Sequence, residues 1–152
     1  MNAPQVVHVG IDGAVATITL DSQHNRNALS RQLLAELHDA LDAAEAAEAR
    51  AIVLTHRGPA FCAGADLKER SSQGSTESDS NPFVDALVRL MDTARPTIAA
   101  VKGAVRAGGI GLMAACDLVV VDESTTFALT EVRIGVAPAI ISVPILRRVA
   151  PS

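Results

Sequence analysis

Two runs of small residues and one carboxylate are the parts of this chain whose types and spacing could do chemistry. The first run is Phe61-Cys62-Ala63-Gly64-Ala65-Asp66-Leu67-Lys68. Ala63, Gly64 and Ala65 let a ligand approach the main chain, and Asp66 is placed to cap a helical turn whose free N–H groups attract negative charge. The second run, from Gly103 to Asp117, carries Ala107-Gly108-Gly109-Ile110-Gly111-Leu112, a glycine-rich turn leading into an apolar helix. It too leaves the N–H groups of the turn and first helical residues open to an acceptor. Such turns suit an oxyanion, although small-residue turns also recur in α/β folds that share no chemistry. The carboxylate is Glu131, in Thr130-Glu131-Val132-Arg133-Ile134-Gly135. In its apolar setting it suits proton transfer, whereas a pair with Arg133 across a bend would make it structural.

Other chemistries find less support. The glycines do not fit G-x-G-x-x-G and no P-loop Gly-Lys-Ser/Thr exists, which argues against nucleotide phosphates held in either way. Cys62 lies inside the first run, so a nucleophilic thiol is one reading of it. No His stands in a partner motif, however, and Cys62 and Cys116 read as small buried hydrophobes. Their wide separation and the lack of a secretory segment suit a reducing cytosol, so a cytoplasmic location is expected. His8, His24, His38 and His56 share no spacing that would make a metal site. A net charge of -4 with no Trp or Tyr predicts no nucleic-acid partner. The longest uncharged run, Ile134 to Leu146, is too short to span a bilayer and holds Pro138 and Pro144, so no membrane partner is expected.

The elements that must position these residues read as α/β. At 152 residues, with 49% apolar and 20% charged, the chain suits one folded domain, residues 1–152. Val6 to Ile11 and Val15 to Leu20 flank Asp12-Gly13, a strong hairpin signal. Ser30 is a candidate N-cap, and Leu29, Leu33, Leu37 and Leu41 recur every fourth residue, as on one face of a helix. Ala51 to Thr55 then reads as a strand, completing a strand-helix-strand crossover. The first chemical run follows it after Arg57-Gly58-Pro59, where open α/β sheets place their ligands. Residues 71–81 are polar and Ser-rich, and read as a mobile surface loop or a lid. Pro82 begins a helix through Val84, Leu87, Val88 and Met91 that Pro96 ends, before a strand from Thr97 to Val101. Leu118 to Val121 reads as a further buried strand and Phe127 to Leu129 as a short one. Asp117 reads as structural, bonding backbone near its helix end.

The two turns in this order, followed by Cys116-Asp117 and Phe127-Ala128-Leu129-Thr130-Glu131, resemble the crotonase superfamily, also called the enoyl-CoA hydratase/isomerase family. The resemblance runs from the hairpin to about Pro138. It implies a ββα-spiral core, assembly as a homotrimer or hexamer, and an acyl-CoA thioester as substrate. Coenzyme A would enter as part of that substrate, with no separate cofactor and no metal. By this resemblance the backbone N–H groups of Ala65 and Gly108 hold the thioester carbonyl oxygen and Glu131 is the acid/base. Arg26 and Ala28, the backbone of Ala63, Gly64, Ala65, Asp66, Leu67 and Lys68, and Gly108 with Gly109 would line the substrate. Two N–H donors aimed at one oxygen stabilise an enolate where its charge develops.

The departures from the family's pattern are as informative. Typical hydratases of the family carry two glutamates; the first position falls on Gly111, which has no side chain, and the second on Glu131. The stretch after the next proline is also altered, reading Pro138-Ala139-Ile140-Ile141-Ser142. The pattern from Glu131 to Ala139 resembles a bacterial subgroup assigned to methylglutaconyl-CoA-type hydration that also lacks the first glutamate. The chain ends at Ser152 without the C-terminal helical region usual in the family, so a fragment is expected, with Ile140, Ile141, Val143, Ile145 and Leu146 short of partners. The sequence reading therefore favours a hydratase or isomerase with one glutamate, impaired in this short form. Its rivals are a non-catalytic acyl-CoA-binding or assembly module and, on the same fold, a thioester decarboxylase or hydrolase.

Overall fold

The opening hairpin follows from its turn. In the computed structural model, which describes residues 4–72 and 81–150, β1 (Val7–Asp12) pairs antiparallel with β2 (Val15–Leu20) and Asp12 faces Val15. Alternation along β2 buries Ala16, Ile18 and Leu20 on one face. α1 (Arg31–Ala46) begins where the side chain of Ser30 accepts the Leu33 N–H at 3.2 Å, and its leucine stripe buries Leu33, Leu37 and Leu41. The chain returns as β3 (Ala51–His56), parallel to β2.

From β3 onward the chain repeats one pattern: a strand in a large sheet, a short strand in a small sheet, then helix. β3 is followed by β4 (Ala60–Cys62), α2 (Leu67–Ser72) and α3 (Pro82–Asp92). β5 (Thr97–Val101) is followed by β6 (Ala104–Arg106) and α4 (Gly108–Ala115). β7 (Leu118–Val121) is followed by β8 (Thr126–Ala128), a 3-10 turn (Thr130–Ile134) and α5 (Ala139–Leu146). The large sheet has the order β1-β2-β3-β5-β7 and the small one β4-β6-β8, whose paired strands run parallel. This is the expected ββα spiral. Its buried cluster joins the large sheet to the helices through residues such as Leu37, Leu54, Phe61, Leu90 and Leu112.

Several expectations are corrected. The first chemical run does not leave β3 directly: Ala60, Phe61 and Cys62 form a strand of their own, as do Ala104, Val105 and Arg106. Strands of three residues are too short to show a period. Leu118 to Val121 is a strand, but an edge one, and all four residues are exposed, Val120 at 62%. Ile141, expected to lack partners, is buried. Ser71 and Ser72 close α2, and Asn81 caps α3 by accepting from Phe83 N–H (3.1 Å) and Val84 N–H (3.4 Å). The rest of the expected mobile loop, residues 73–80, lies outside the described residues. Among the described residues no helix is long and apolar enough to cross a membrane.

Candidate functional site

The small parallel sheet gathers the candidate residues at one end. Ala65 follows β4, Gly108 follows β6 and Glu131 follows β8, so each candidate lies two or three positions beyond the carboxyl end of its strand. The sequence had separated them widely; parallel pairing brings the three loops to one edge.

The two small-residue turns are locked together. Gly64 has φ +89°, and a Cβ there would stand 2.7 Å from the Cβ of Ala107 and 3.4 Å from the Gly108 nitrogen. No side chain fits at Gly64, and that is what lets the second turn approach. Ala107 has φ 47° and ψ -120°, a backbone state costly for a residue with a Cβ, and its N–H donates to Ala128 O at 3.0 Å, tying it to β8. The N–H of Ala63 donates to Arg26 O (3.1 Å) and that of Ile110 to Ala107 O (2.9 Å). The N–H groups of Ala65 and Gly108, in contrast, have no acceptor among the described residues. Leu29 Cδ1 and the Phe83 ring pack close over Gly108 and would collide with or crowd any Cβ there. The site therefore pairs two open main-chain donors with apolar walls.

The loop before α1 supports the first turn. Arg26 and Asn27 take φ 57° and 55°, Leu29 N–H donates to Gly64 O at 2.8 Å, and Leu29 forms a parallel bridge with Ala65. Asn27, fully buried, accepts Ser22 N–H (2.6 Å) through Oδ1 and donates through Nδ2 to Ala60 O (2.8 Å) and Arg57 O (3.2 Å). Ala28 is buried behind this loop, while Arg26, Leu67 and Lys68 are exposed beside it. Asp66 caps α2: Oδ1 accepts from Lys68 N–H (3.0 Å) and Glu69 N–H (3.4 Å), and Oδ2 accepts from Asn25 (3.1 Å). Partial burial pushes its pKa up, but these hydrogen bonds and the Lys68 charge outweigh it, and the pKa lies below the usual carboxylate value.

Glu131 sits in the 3-10 turn Thr130–Ile134, closed where its carbonyl accepts Val136 N–H at 3.1 Å. Its Oε2 is shielded from solvent and has no hydrogen-bond partner among the described residues. The alternative pairing with Arg133 is not formed among them. On α4, Gly111 is packed against Ile141 of α5.

The thiols take no part. Cys62 and Cys116 are buried, and burial pushes both pKa values up to about 12, so neither is a thiolate nucleophile near neutral pH. Asp117 is structural as expected, its Oδ2 accepting Thr97 N–H (2.8 Å) and Thr97 O–H (3.0 Å). No group of His, Cys, Asp and Glu among the described residues could hold a metal ion. Sequence reasoning did not foresee the buried hydrogen-bonding role of Asn27 or the packing of Ile141 on Gly111, and it gave His56 no role. His56 is buried, meets Phe61 edge to face at 5.6 Å and accepts Lys102 N–H at 3.1 Å; burial lowers its pKa. Its only sequence signal was the end of an alternating strand.

Comparisons with known proteins show the family and the fold. The family profile described as Enoyl-CoA hydratase/isomerase matches residues 10–152. A candidate enoyl-CoA hydratase of Thermus thermophilus is 43% identical over 143 residues, covering 90% of this chain and 56% of its own. The mitochondrial methylglutaconyl-CoA hydratase of Mus musculus is 36% identical over 130 residues, covering 82% of this chain and 41% of its own. The crystal structure of an enoyl-CoA hydratase from Mycobacterium avium superposes with a TM-score of 0.83 at 40% identity, over 97% of this chain and 59% of that one. The chain thus spans about half the length of the curated relatives it matches.

Proposed function

The chain belongs to the enoyl-CoA hydratase/isomerase family, and from that premise we propose that it binds an acyl-CoA thioester and forms its enolate at the edge of the small sheet. The Ala65 and Gly108 N–H groups hold the thioester oxygen, and Glu131 takes and returns the proton. The observation that carries this reading is the pair of open N–H donors on two turns fixed against each other through Gly64 and Ala107. Such preorganised donors contribute about 3 kcal/mol each to stabilising an oxyanion in a dry site. Glu131 supports the reading through a shielded carboxylate oxygen, Oε2, that has no hydrogen-bond partner among the described residues. Arg26, the backbone of Ala28 and of Ala63 to Lys68, and that of Gly108 and Gly109 line the thioester and its coenzyme A portion. No redox group or metal is required. The homotrimer or hexamer and the cytoplasmic location belong to the same proposal.

The test is proton exchange. The chain is mixed with crotonyl-CoA or 3-methylglutaconyl-CoA in deuterated water and followed for label at carbon and for hydration product. The expected result is exchange that falls by about two to four orders of magnitude in Glu131→Gln while thioester binding is kept. An unchanged rate in that variant would remove Glu131 from the mechanism. Tight binding with no exchange would favour the alternative of a non-catalytic acyl-CoA-binding or assembly module, a reading that draws on the absence of a side chain at Gly111.

A further inference from the structure

Gly108 and Gly111 stand three residues apart on α4, so they share one helix face, and what covers Gly111 bounds the site below the Gly108 N–H. A Cβ on Gly111 would overlap Ile141 Cγ2 outright and lie 2.9 Å from Ile141 Cβ and 3.6 Å from its Cα. These are the innermost atoms of a stiff, β-branched side chain, so rotation about χ1 does not clear the Ile141 Cβ from the space. Nor is α5 free to withdraw. The Arg148 guanidinium, just beyond it, donates to the carbonyls of Ala114 (3.2 Å), Asp117 (3.1 Å) and Cys116, clamping the end of α4 with charge-assisted bonds.

We infer that Ile141 is a specificity-determining residue: it fills the seat of any side chain at position 111, so that α4 offers no second acid/base there beside Glu131 and the reaction is biased to proton transfer between carbons. The inference rests on the function proposed above. Water addition places the water oxygen on the β carbon and a proton on the α carbon, so a water must be held and deprotonated while another proton is delivered. Ile141 puts hydrocarbon where a second group for that work could stand. Moving a double bond from C3 to C2 of an enoyl thioester needs only one base. The carboxylate of Glu131 takes a proton from C2, the electron pair enters a dienolate held by the Ala65 and Gly108 N–H groups, and the same carboxyl returns the proton to C4. Atoms and electrons balance without water, oxidant or a second acid.

Two readouts on the whole chain test this. In thermal unfolding, Gly111→Ala should lower the melting temperature by roughly 5 °C or more, and by clearly less in an Ile141→Ala background. An equal drop in both backgrounds, or none, would overturn the packing. In activity, the parent should convert trans-3-hexenoyl-CoA to its 2-enoyl isomer about tenfold or more faster than it hydrates crotonyl-CoA, and the double variant Gly111→Glu, Ile141→Gly should shift that ratio toward hydration. Hydration by the parent at an equal or higher rate would overturn the specificity role. A parent that binds both thioesters and transforms neither would overturn the proposed function and the reaction assigned here, while the melting cycle would still decide whether Ile141 occupies the seat.

Discussion

Gly64 and Glu131 stand at the same edge of the small sheet and are held in opposite ways. Around Gly64 the main chains of two turns touch, with Ala107, Leu29 and Phe83 packed close to Gly64 or Gly108. Around Glu131 the same edge is open: Phe127, Leu129, Val132 and Ile134 are all exposed, Val132 at 79%. In the first region the proposed chemistry belongs to the backbone, so no single side chain can be removed to abolish it without disturbing the fold. In the second it belongs to one side chain on a short turn that the buried cluster does not include. Function and stability should therefore be inseparable at Gly64 and separable at Glu131.

The strongest form of that contrast is Glu131→Gln. Its loss of turnover, about 3–5 kcal/mol in the barrier, should come with a change in unfolding free energy within about 1 kcal/mol. A large fall in stability would place Glu131 in the scaffold instead. Next comes Gly64→Ala, expected to cost about 2–4 kcal/mol in urea unfolding, from the strain of a Cβ at φ +89° and its approach to Ala107. A Gly64→Ala chain as stable as the parent would break the comparison. Asn27→Ala tests the support behind the first turn. It leaves the Ser22 N–H and two carbonyls without their partner, and should cost about 1–3 kcal/mol in the same measurement. Asp66→Ala is the smallest, about 1 kcal/mol for a lost cap. Because the folded pKa of Asp66 lies below its ordinary 3.8, its contribution is full above that value and is lost as pH falls through the lower folded pKa. The gap between Asp66→Ala and the parent should accordingly hold at neutral pH and narrow in acid below about pH 3.8.

The sequence spoke clearly wherever local chemistry decides local structure. Asp12-Gly13 marked the hairpin, the leucines of α1 marked its buried face, and Ser30 marked its start. Both small-residue turns were legible because a close backbone approach demands glycine and alanine wherever it occurs. The small sheet was not, since β4 and β6 have three residues each and alternate too briefly to register. Asn27 sits among polar loop residues and looks solvated; only the arrival of Arg57 and Ala60 makes it a buried hub. The run Leu118 to Val121 shows the converse, because apolar composition reports what a strand could bury and not what covers it. Ile141 was visible as an apolar residue out of pattern, but its fit to Gly111 is a contact between helices that no spacing rule encodes.

The contact between Gly64 and Ala107 also bears on the order in which the chain acquires its grip. Each turn has supports of its own, in the loop before α1 and in β8, but the two also seat against one another, and they belong to successive ββα units distant along the chain. The proposed anion seat needs both N–H groups in place at once, so it would be a product of long-range docking as well as of local folding. It therefore comes into being only when the second and third turns of the spiral have closed on one another, and a chain caught before that step holds all the residues of the seat and none of its affinity.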